Sequence, residues 1–210
     1  MFFKNFEGII SNFSVIGSNL STQISTLDCA KAIIKESRPA IKIKGFIDSK
    51  WYRKPRAKRH GPWLKADYDI IDENLWEKSQ PLIYFVKRNN KKLKYVGKSV
   101  KSLKVRWRES PACDKHGNRL TYNVNGKTEE RSEFNHNICW GHMCKAESEG
   151  RHLTYVVSVI HKEHLIEVLS NIDHEISGIL CLKNYPEILV EAMESWFIEL
   201  FKPQLWNKIR

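Results

Sequence analysis

The chain has 210 residues, of which 41% are hydrophobic and 28% are charged, with 10 glycines and 7 prolines. This composition excludes collagen, low-complexity linkers and wholesale disorder, and the length predicts one well-cored domain with some additions. The 35 Lys and Arg residues exceed the 24 Asp and Glu residues and give a net charge of +11. Such an excess of positive charge favours a polyanionic partner.

The sequence predicts neither a membrane span nor secretion. The longest uncharged run, residues 8–27, contains ten Ser, Thr, Asn or Gln residues, too many for a bilayer-spanning helix. Lys4 and Glu7 interrupt the apolar core that a signal peptide needs. The five cysteines are an odd number and fit a reducing compartment. We therefore expect a cytoplasmic protein whose cysteines are thiols or metal ligands.

The first 80 residues are expected to form an N-terminal extension. Residues 29–37 predict a short helix capped by Asp28, and the apolar residues of 41–46 nearly alternate. A basic segment follows at residues 50–59, where six of ten residues are Lys or Arg and are interleaved with Trp51 and Tyr52.

Residues 81–210 are expected to form the core. Residues 82–86 and 93–97 predict an antiparallel hairpin, since both are rich in β-branched and aromatic residues. Four further elements are predicted in chain order: a helix at 100–109, a strand at 153–160, a helix at 164–172 and a helix from Pro186 to Pro203. The order predicts an α+β fold with a small three-stranded antiparallel sheet flanked by helices. A polar insertion at 111–152 interrupts it.

Several residues of the hairpin and the last helix recur together in one known family. They are Ile83-Tyr84, Tyr95-Val96-Gly97-Lys98-Ser99, Arg106-Trp107, Glu194 and Lys202-Pro203-Gln204-Leu205-Trp206-Asn207. In order and spacing this set resembles the GIY-YIG nuclease superfamily, over roughly residues 81–110 and 153–207. The Tyr-Val-Gly-Lys-Ser and Lys-Pro-x-Leu-Trp-Asn stretches are most similar to its type II restriction endonuclease branch.

The resemblance implies a divalent-metal-dependent, site-specific endonuclease that hydrolyses double-stranded DNA to 5′-phosphate and 3′-hydroxyl ends. Glu194 would bind one Mg²⁺ or Mn²⁺, and Arg106 would brace the scissile phosphate. Tyr84 would act as general base on the attacking water. Tyr95 would hydrogen-bond to the phosphate or to Tyr84, and Lys98 would supply positive charge. Gly97 and Asn207 would be structural residues near the site.

A tyrosine can act as a base only if positive charge stabilises its phenolate, because its ordinary pKa is about 10. Residues 87–108 contain ten Lys or Arg and no acidic residue. The chain departs from the family pattern at Leu82, where the family has Gly, and at Ser110, where many members have His or Tyr. Lys98, His116 or a metal-bound hydroxide would then replace the missing group.

Two assignments have rivals within the sequence. Glu199 is the rival of Glu194, since the two lie on opposite sides of the apolar stripe of the last helix. Arg108 is the rival of Arg106, since the two are close in sequence. Glu194 is preferred because its distance from Lys202-Pro203 matches the family's glutamate.

The insertion is rich in cysteine and histidine. Six of the chain's thirteen Cys and His residues fall within residues 113–144. A tetrahedral zinc site could be drawn from five of them: Cys113, His116, Cys139, His142 and Cys144. The alternative is that they are polar loop residues without a metal. Both interpretations stay open: a structural zinc ion bound by these residues, or loop residues that bind no metal.

The basic segment is a candidate clamp or recognition arm for DNA, and the N-terminal extension at residues 1–80 as a whole is expected to serve in DNA binding and recognition. Its candidate phosphate-binding residues are Arg53, Lys54, Arg56, Lys58 and Arg59. A solvated charge run is the alternative. A restriction enzyme further implies a homodimer and a cognate DNA methyltransferase acting on the same site. The rival functions are a homing or repair nuclease with the same core, and a noncatalytic DNA-binding module that keeps the fold.

Overall fold

The computed structural model describes residues 25–49, 63–89, 91–107, 121–124, 127–130, 139, 142–143, 145–146, 149–151, 153–172 and 174–207. The basic segment and its candidate contacts at Arg53, Lys54, Arg56, Lys58 and Arg59 lie outside these residues. Cys113, His116, Cys144, Arg108 and Ser110 also lie outside them. The predictions that rest on these positions stay predictions.

Within the described part of the chain, seven strands form two antiparallel sheets. They are β1 (Arg38–Ser49), β2 (Trp63–Ile70), β3 (Leu82–Arg88), β4 (Lys92–Ser99), β5 (Thr121–Val124), β6 (Lys127–Glu130) and β7 (Tyr155–His161). The main sheet has the order β2-β1-β7-β3-β4, and β5 pairs with β6 in a separate two-stranded sheet. All strand pairs are antiparallel.

Helices cover both faces of the main sheet. The α-helices with complete bounds are α1 (Thr26–Glu36), α2 (Glu73–Glu77), α3 (Leu103–Trp107), α4 (Lys162–Ser170) and α5 (Pro186–Phe201). Among the residues described, two 3₁₀ helices span Glu175–Leu182 and Lys202–Gln204. Described residues between 139 and 146 are also helical. In the described residues, no helix combines the length and the apolar character needed to cross a bilayer.

The α+β class is confirmed, but the prediction of a three-stranded sheet is wrong. The predicted trio exists as β7-β3-β4, and β1 and β2 extend it to five strands. Ile41 of β1 lies opposite Val157 of β7, and both side chains are fully buried. The nearly alternating apolar residues of 41–46 therefore lie in a strand of the main sheet. One sheet thus contains strands that precede residue 80 in the chain and strands that follow it. The recognition role of residues 1–80 stays a prediction.

Alternation along the strands creates two hydrophobic cores. We call the side carrying Tyr84 the front face, where the sheet packs against α2, α3 and the helical residues near 139–146. The opposite side, carrying Ile83, is the rear face, which packs against α1, α4 and α5. All seven residues of the central strand β7 are buried, since both faces are covered.

The helix boundaries follow from their terminal residues. α1 begins one turn earlier than predicted, because the Ser25 hydroxyl accepts a hydrogen bond from the Asp28 amide and Asp28 lies inside the first turn. α5 begins at Pro186, as predicted, where the missing amide hydrogen costs no hydrogen bond.

The rear core predicts a large stability loss on truncation of Phe197. Its ring is fully buried and contacts Phe85 with ring centroids 5.0 Å apart. We expect Phe197→Ala to lower the free energy of unfolding by about 3–5 kcal/mol in urea titrations. Ile188→Ala, on the same helix at a residue that is 42% exposed, should cost less than about 1 kcal/mol. Equal losses for the two variants would contradict this assignment of the core.

Candidate active site

The register of the β3–β4 hairpin places Tyr84 directly opposite Gly97. A Cβ atom at position 97 would overlap the Cζ and Oη atoms of Tyr84, so the phenol ring lies across the glycine. β4 is an edge strand of the main sheet. The glycine therefore lets Tyr84 extend across β4 on the front face, although its side chain is only 2% exposed.

Arg106 contacts the phenol from α3. Its Nε donates a hydrogen bond to the Tyr84 hydroxyl at 3.2 Å. Two aromatic residues fix the ring: Trp107 meets it edge-on with centroids 5.7 Å apart, and Tyr95 stacks on it at 6.1 Å. The hairpin and α3 thus bring together three residues that the sequence placed in one site: Tyr84, Tyr95 and Arg106.

The environment of Tyr84 differs from the expected one. Burial raises the pKa of the Tyr84 phenol, and the charge and hydrogen bond of Arg106 oppose this rise without overcoming it. Burial likewise raises the pKa of Tyr95. The expectation that clustered cations hold Tyr84 as a phenolate is therefore corrected, since the phenol is protonated at neutral pH.

Two of the lysines that follow Tyr84 in sequence pair with carboxylates. Lys104 forms an ion pair with Glu77, and the Lys98 ammonium lies 2.8 Å from a carboxylate oxygen of Glu191. Lys98 pairs with Ile83 across the hairpin, so its side chain points to the rear face, away from the phenol ring. Lys98 consequently pairs with α5, and the charge that opposes the raised pKa of Tyr84 comes from Arg106.

Glu194 approaches the same strand from α5. Its side chain is half-buried, and a backbone hydrogen bond from Lys98 stabilises its ionised form. Burial raises the pKa of Glu194, while the positive charges of Lys98 and Arg106 oppose the rise. Since Glu194 in turn contributes to the raised pKa of Tyr84, the carboxylate and the phenol share one electrostatic environment.

The rest of the β4 edge is covered by the C-terminal segment. The Trp206 amide donates to the Lys94 carbonyl at 2.8 Å. The Asn207 side chain accepts from the Val96 amide at 3.1 Å and donates to the Val96 carbonyl at 2.7 Å. Asn207 therefore makes the structural contact expected of it. Together with the Lys98–Glu194 contact, these bonds occupy alternate residues along an edge that would otherwise be open.

Glu194 and Glu199 differ in exposure. The Glu199 side chain is 74% exposed and lies 3.6 Å from the Lys202 ammonium. Only Glu194 of these two is half-buried and electrostatically coupled to Arg106. Sequence reasoning missed Glu191, although its position three residues before Glu194 places both on adjoining parts of one helix surface.

The donor set at Glu194 suits a magnesium ion. The described residues contain no group of three or more His, Cys, Asp or Glu that could hold a metal ion. A single carboxylate nevertheless fits Mg²⁺, which keeps most of its waters and takes further oxygens from a substrate. A bound cation would also offset the cost of burying the charge of Glu194.

Two candidate zinc ligands lie in different surroundings. Cys139 is a buried free thiol whose pKa is raised by burial. His142 stacks on Trp206 with ring centroids 5.1 Å apart. The front core also contains Cys139 together with Tyr84 and Tyr95, a packing role that the sequence did not indicate. Because Cys113, His116 and Cys144 lie outside the described residues, the zinc site stays a prediction.

The contact between Gly97 and Tyr84 gives a direct test of the site geometry. We expect Gly97→Ala to lower the free energy of unfolding by about 1–3 kcal/mol, because the added methyl group displaces the ring. In a Tyr84→Ala background the loss should largely vanish. Gly178→Ala is the control, since its Cβ would have no atom within 4 Å. An equal cost of Gly97→Ala in both backgrounds would contradict the contact.

The resemblance rests on the residues of this chain alone. Comparisons with protein-family models, curated proteins and solved structures found no match.

Proposed function

We propose that the protein is a Mg²⁺- or Mn²⁺-dependent, site-specific endonuclease of double-stranded DNA with a GIY-YIG-like site, most similar to type II restriction enzymes. One observation carries the proposal: a phenol from β3, a guanidinium from α3 and a carboxylate from α5 converge on the edge strand β4. Three distant stretches of chain thereby supply the three groups that the motifs assigned to one phosphate. The strongly positive net charge supports a nucleic-acid substrate.

Arg106 is the proposed phosphate ligand. Its Nε is used by the Tyr84 hydroxyl, which fixes the guanidinium plane. The Nη groups would then donate hydrogen bonds to the scissile phosphate and stabilise the charge that builds up on its oxygens. Because the guanidinium is half-buried, each such bond is stronger than it would be in bulk water.

Tyr84 is the proposed group that handles the proton of the attacking water. Its phenol is neutral in the resting site, so it must be ionised before it can accept a proton. Arg106 lowers the free-energy cost of that ionisation. Its positive charge is the largest influence that opposes the effect of burial on the pKa of the phenol. Glu194 would hold the divalent ion, and that ion would supply a polarised water and further positive charge.

The restriction-type proposal includes partners. One site per chain cuts one strand, so a homodimer is proposed for cleavage of both strands, and a methyltransferase would protect the same sequence in a shared cytoplasm. The basic segment at 50–59 would hold the DNA. A homing or repair nuclease with the same core is the alternative enzyme.

One observation favours a second candidate, a noncatalytic DNA-binding module. The phenol of Tyr84 is buried and its pKa is raised, which would also suit a residue kept for packing. The two candidates differ in whether purified protein cuts DNA.

Cleavage of plasmid DNA tests the proposal. In the presence of Mg²⁺ we expect discrete fragments, and we expect Tyr84→Phe and Glu194→Gln each to slow cleavage by at least about 10²-fold. Initial rates on supercoiled plasmid, with thermal unfolding of each variant, provide the measurement. The matched controls are Tyr185→Phe, at a residue that is 61% exposed, and Glu199→Gln.

The outcomes separate the candidates. Smeared products would contradict site specificity but would still be consistent with nuclease activity. Intact plasmid with retained DNA binding would favour the noncatalytic module. Full activity of both site variants would overturn the assignment of the site.

The raised pKa of Glu194 predicts how metal binding depends on pH. Protonation removes the charge that holds the cation, so affinity for Mn²⁺ falls as the pH drops through the pKa of Glu194. That fall should occur above the ordinary glutamate range near 4.5, because burial raises the pKa. Titration calorimetry with Mn²⁺ at several pH values provides the measurement.

Lys98→Gln is the matched variant for this test. Lys98 is the strongest influence lowering the pKa of Glu194, so its loss should move the midpoint to higher pH. Glu194→Gln should lose the site-specific binding at every pH. A midpoint at or below the ordinary glutamate pKa in the wild-type protein would contradict the prediction.

A further inference from the structure

A second basic site lies at the turn end of the β3–β4 hairpin. A cavity of about 550 Å³ opens there between α1, the hairpin and the C-terminal end of α5. Five lysines line it, and we call this site the lysine pocket: Lys31, Lys35, Lys87, Lys91 and Lys92. None of the described residues that line it is acidic. The lysine pocket therefore differs in charge from the Tyr84 site, where cationic side chains lie beside carboxylates.

The positive charge of the lysine pocket is mostly unbalanced. Lys31 lies 3.2 Å from a carboxylate oxygen of Asp28. In the described part of the chain, the other four ammonium groups have no carboxylate within 4.0 Å. Crowding of like charges extends to Lys94, whose pKa is lowered by burial and then by Lys92 and Arg88. The folded protein thus concentrates cations that repel one another.

The lysine pocket is more than a set of solvated surface lysines. Lys87 is half-buried, and burial lowers the pKa of its ammonium group. Apolar side chains from three elements complete the lining: Ile34, Leu93 and Phe201. A concave site with low-dielectric walls strengthens the attraction for an anion. The apolar lining would accept the sugar that accompanies a nucleic-acid phosphate.

The lysine pocket lies along the same two elements, α5 and β4, as Glu194 and Lys98 of the candidate active site. Phe201 follows Glu194 by seven residues on α5, which corresponds to about 10 Å of helix rise. Lys92 and Lys98 are six residues apart on β4, which corresponds to about 20 Å of strand. These separations correspond to about three to six base pairs of a duplex, whose phosphates rise about 3.4 Å per step along each strand.

We propose that the lysine pocket binds backbone phosphates of the DNA that the candidate active site cuts, a few base pairs from the scissile position. This inference rests on the proposed function, because it takes its ligand from that substrate. The lysines would contact phosphates without reading bases, and would therefore fix the register of the duplex on the protein.

Salt dependence of DNA binding tests the proposal without cleavage. Binding of a labelled 30-base-pair duplex is measured in EDTA by fluorescence anisotropy between 50 and 300 mM NaCl. We expect Lys35→Gln/Lys91→Gln/Lys92→Gln to reduce the slope of log affinity against log salt by about 2–3, since each lost phosphate contact contributes about 0.9. All three residues are exposed, so the fold should tolerate the change.

A control variant separates the lysine pocket from net charge. Lys42→Gln/Lys162→Gln/Lys183→Gln removes the same charge from lysines that do not line the cavity. It should change the slope by less than about 1. An equal change in both triple variants would overturn the proposal.

The half-buried lysine gives an independent measurement. Lys87→Gln removes a desolvated charge from a repelling cluster, so we expect its melting temperature at low salt to equal or exceed that of the wild-type protein. Its affinity for the duplex should nevertheless fall at least about threefold. Unchanged affinity in a folded Lys87→Gln protein would count against the lysine pocket as a phosphate site.

Two further outcomes identify what failed. If the wild-type protein binds the duplex and the pocket triple variant keeps its slope, the inference fails while the proposed function stands. Pyrophosphate that raises the melting temperature of only the wild-type protein would then indicate a small phosphorylated ligand instead. If the wild-type protein does not bind duplex DNA at 50 mM NaCl, the proposed function fails together with the inference.

Discussion

The candidate site depends on the close approach of the Tyr84 ring to the backbone of Gly97. Any side chain at position 97 would occupy the space that the phenol fills. Because that space is free, the Tyr84 side chain on β3 can extend across the edge strand β4 and contact Arg106. Tyr95 and Trp107 then hold the ring in place. A single missing methyl group thus determines where the hydroxyl lies and which guanidinium it meets.

The edge strand also explains how residues from two layers meet. Alternation along β4 directs Gly97 to the front face and Lys98 to the rear face, so the two cores contribute to opposite sides of one strand. The outward backbone groups of β4 are bonded by Trp206, Asn207 and Glu194. The site is therefore built where the sheet ends, and the C-terminal segment both closes the edge and fixes its position.

Local patterns predicted the hairpin and α5, because strand alternation and turn residues depend on neighbours in sequence, whereas the register that pairs Tyr84 with Gly97 comes from the structure. The strand β1 was missed, since Arg38 to Ser49 becomes a strand through pairing with β7 along its first half and with β2 along its second half. The protonation of Tyr84 could not be inferred from nearby lysines either. Burial depends on the packed core, and the charges of Lys98 and Lys104 are directed to Glu191 and Glu77.

Burial acts in the same direction on the two acids of the site. It raises the pKa of Tyr84 and of Glu194, so burial shifts each acid toward its neutral form, and Arg106 opposes the rise in each case. Introducing positive charge between them would favour ionisation of both groups at once. The half-buried guanidinium accordingly couples the phenol to the carboxylate. Any ligand that adds or removes positive charge at this edge would change the protonation of both acids together.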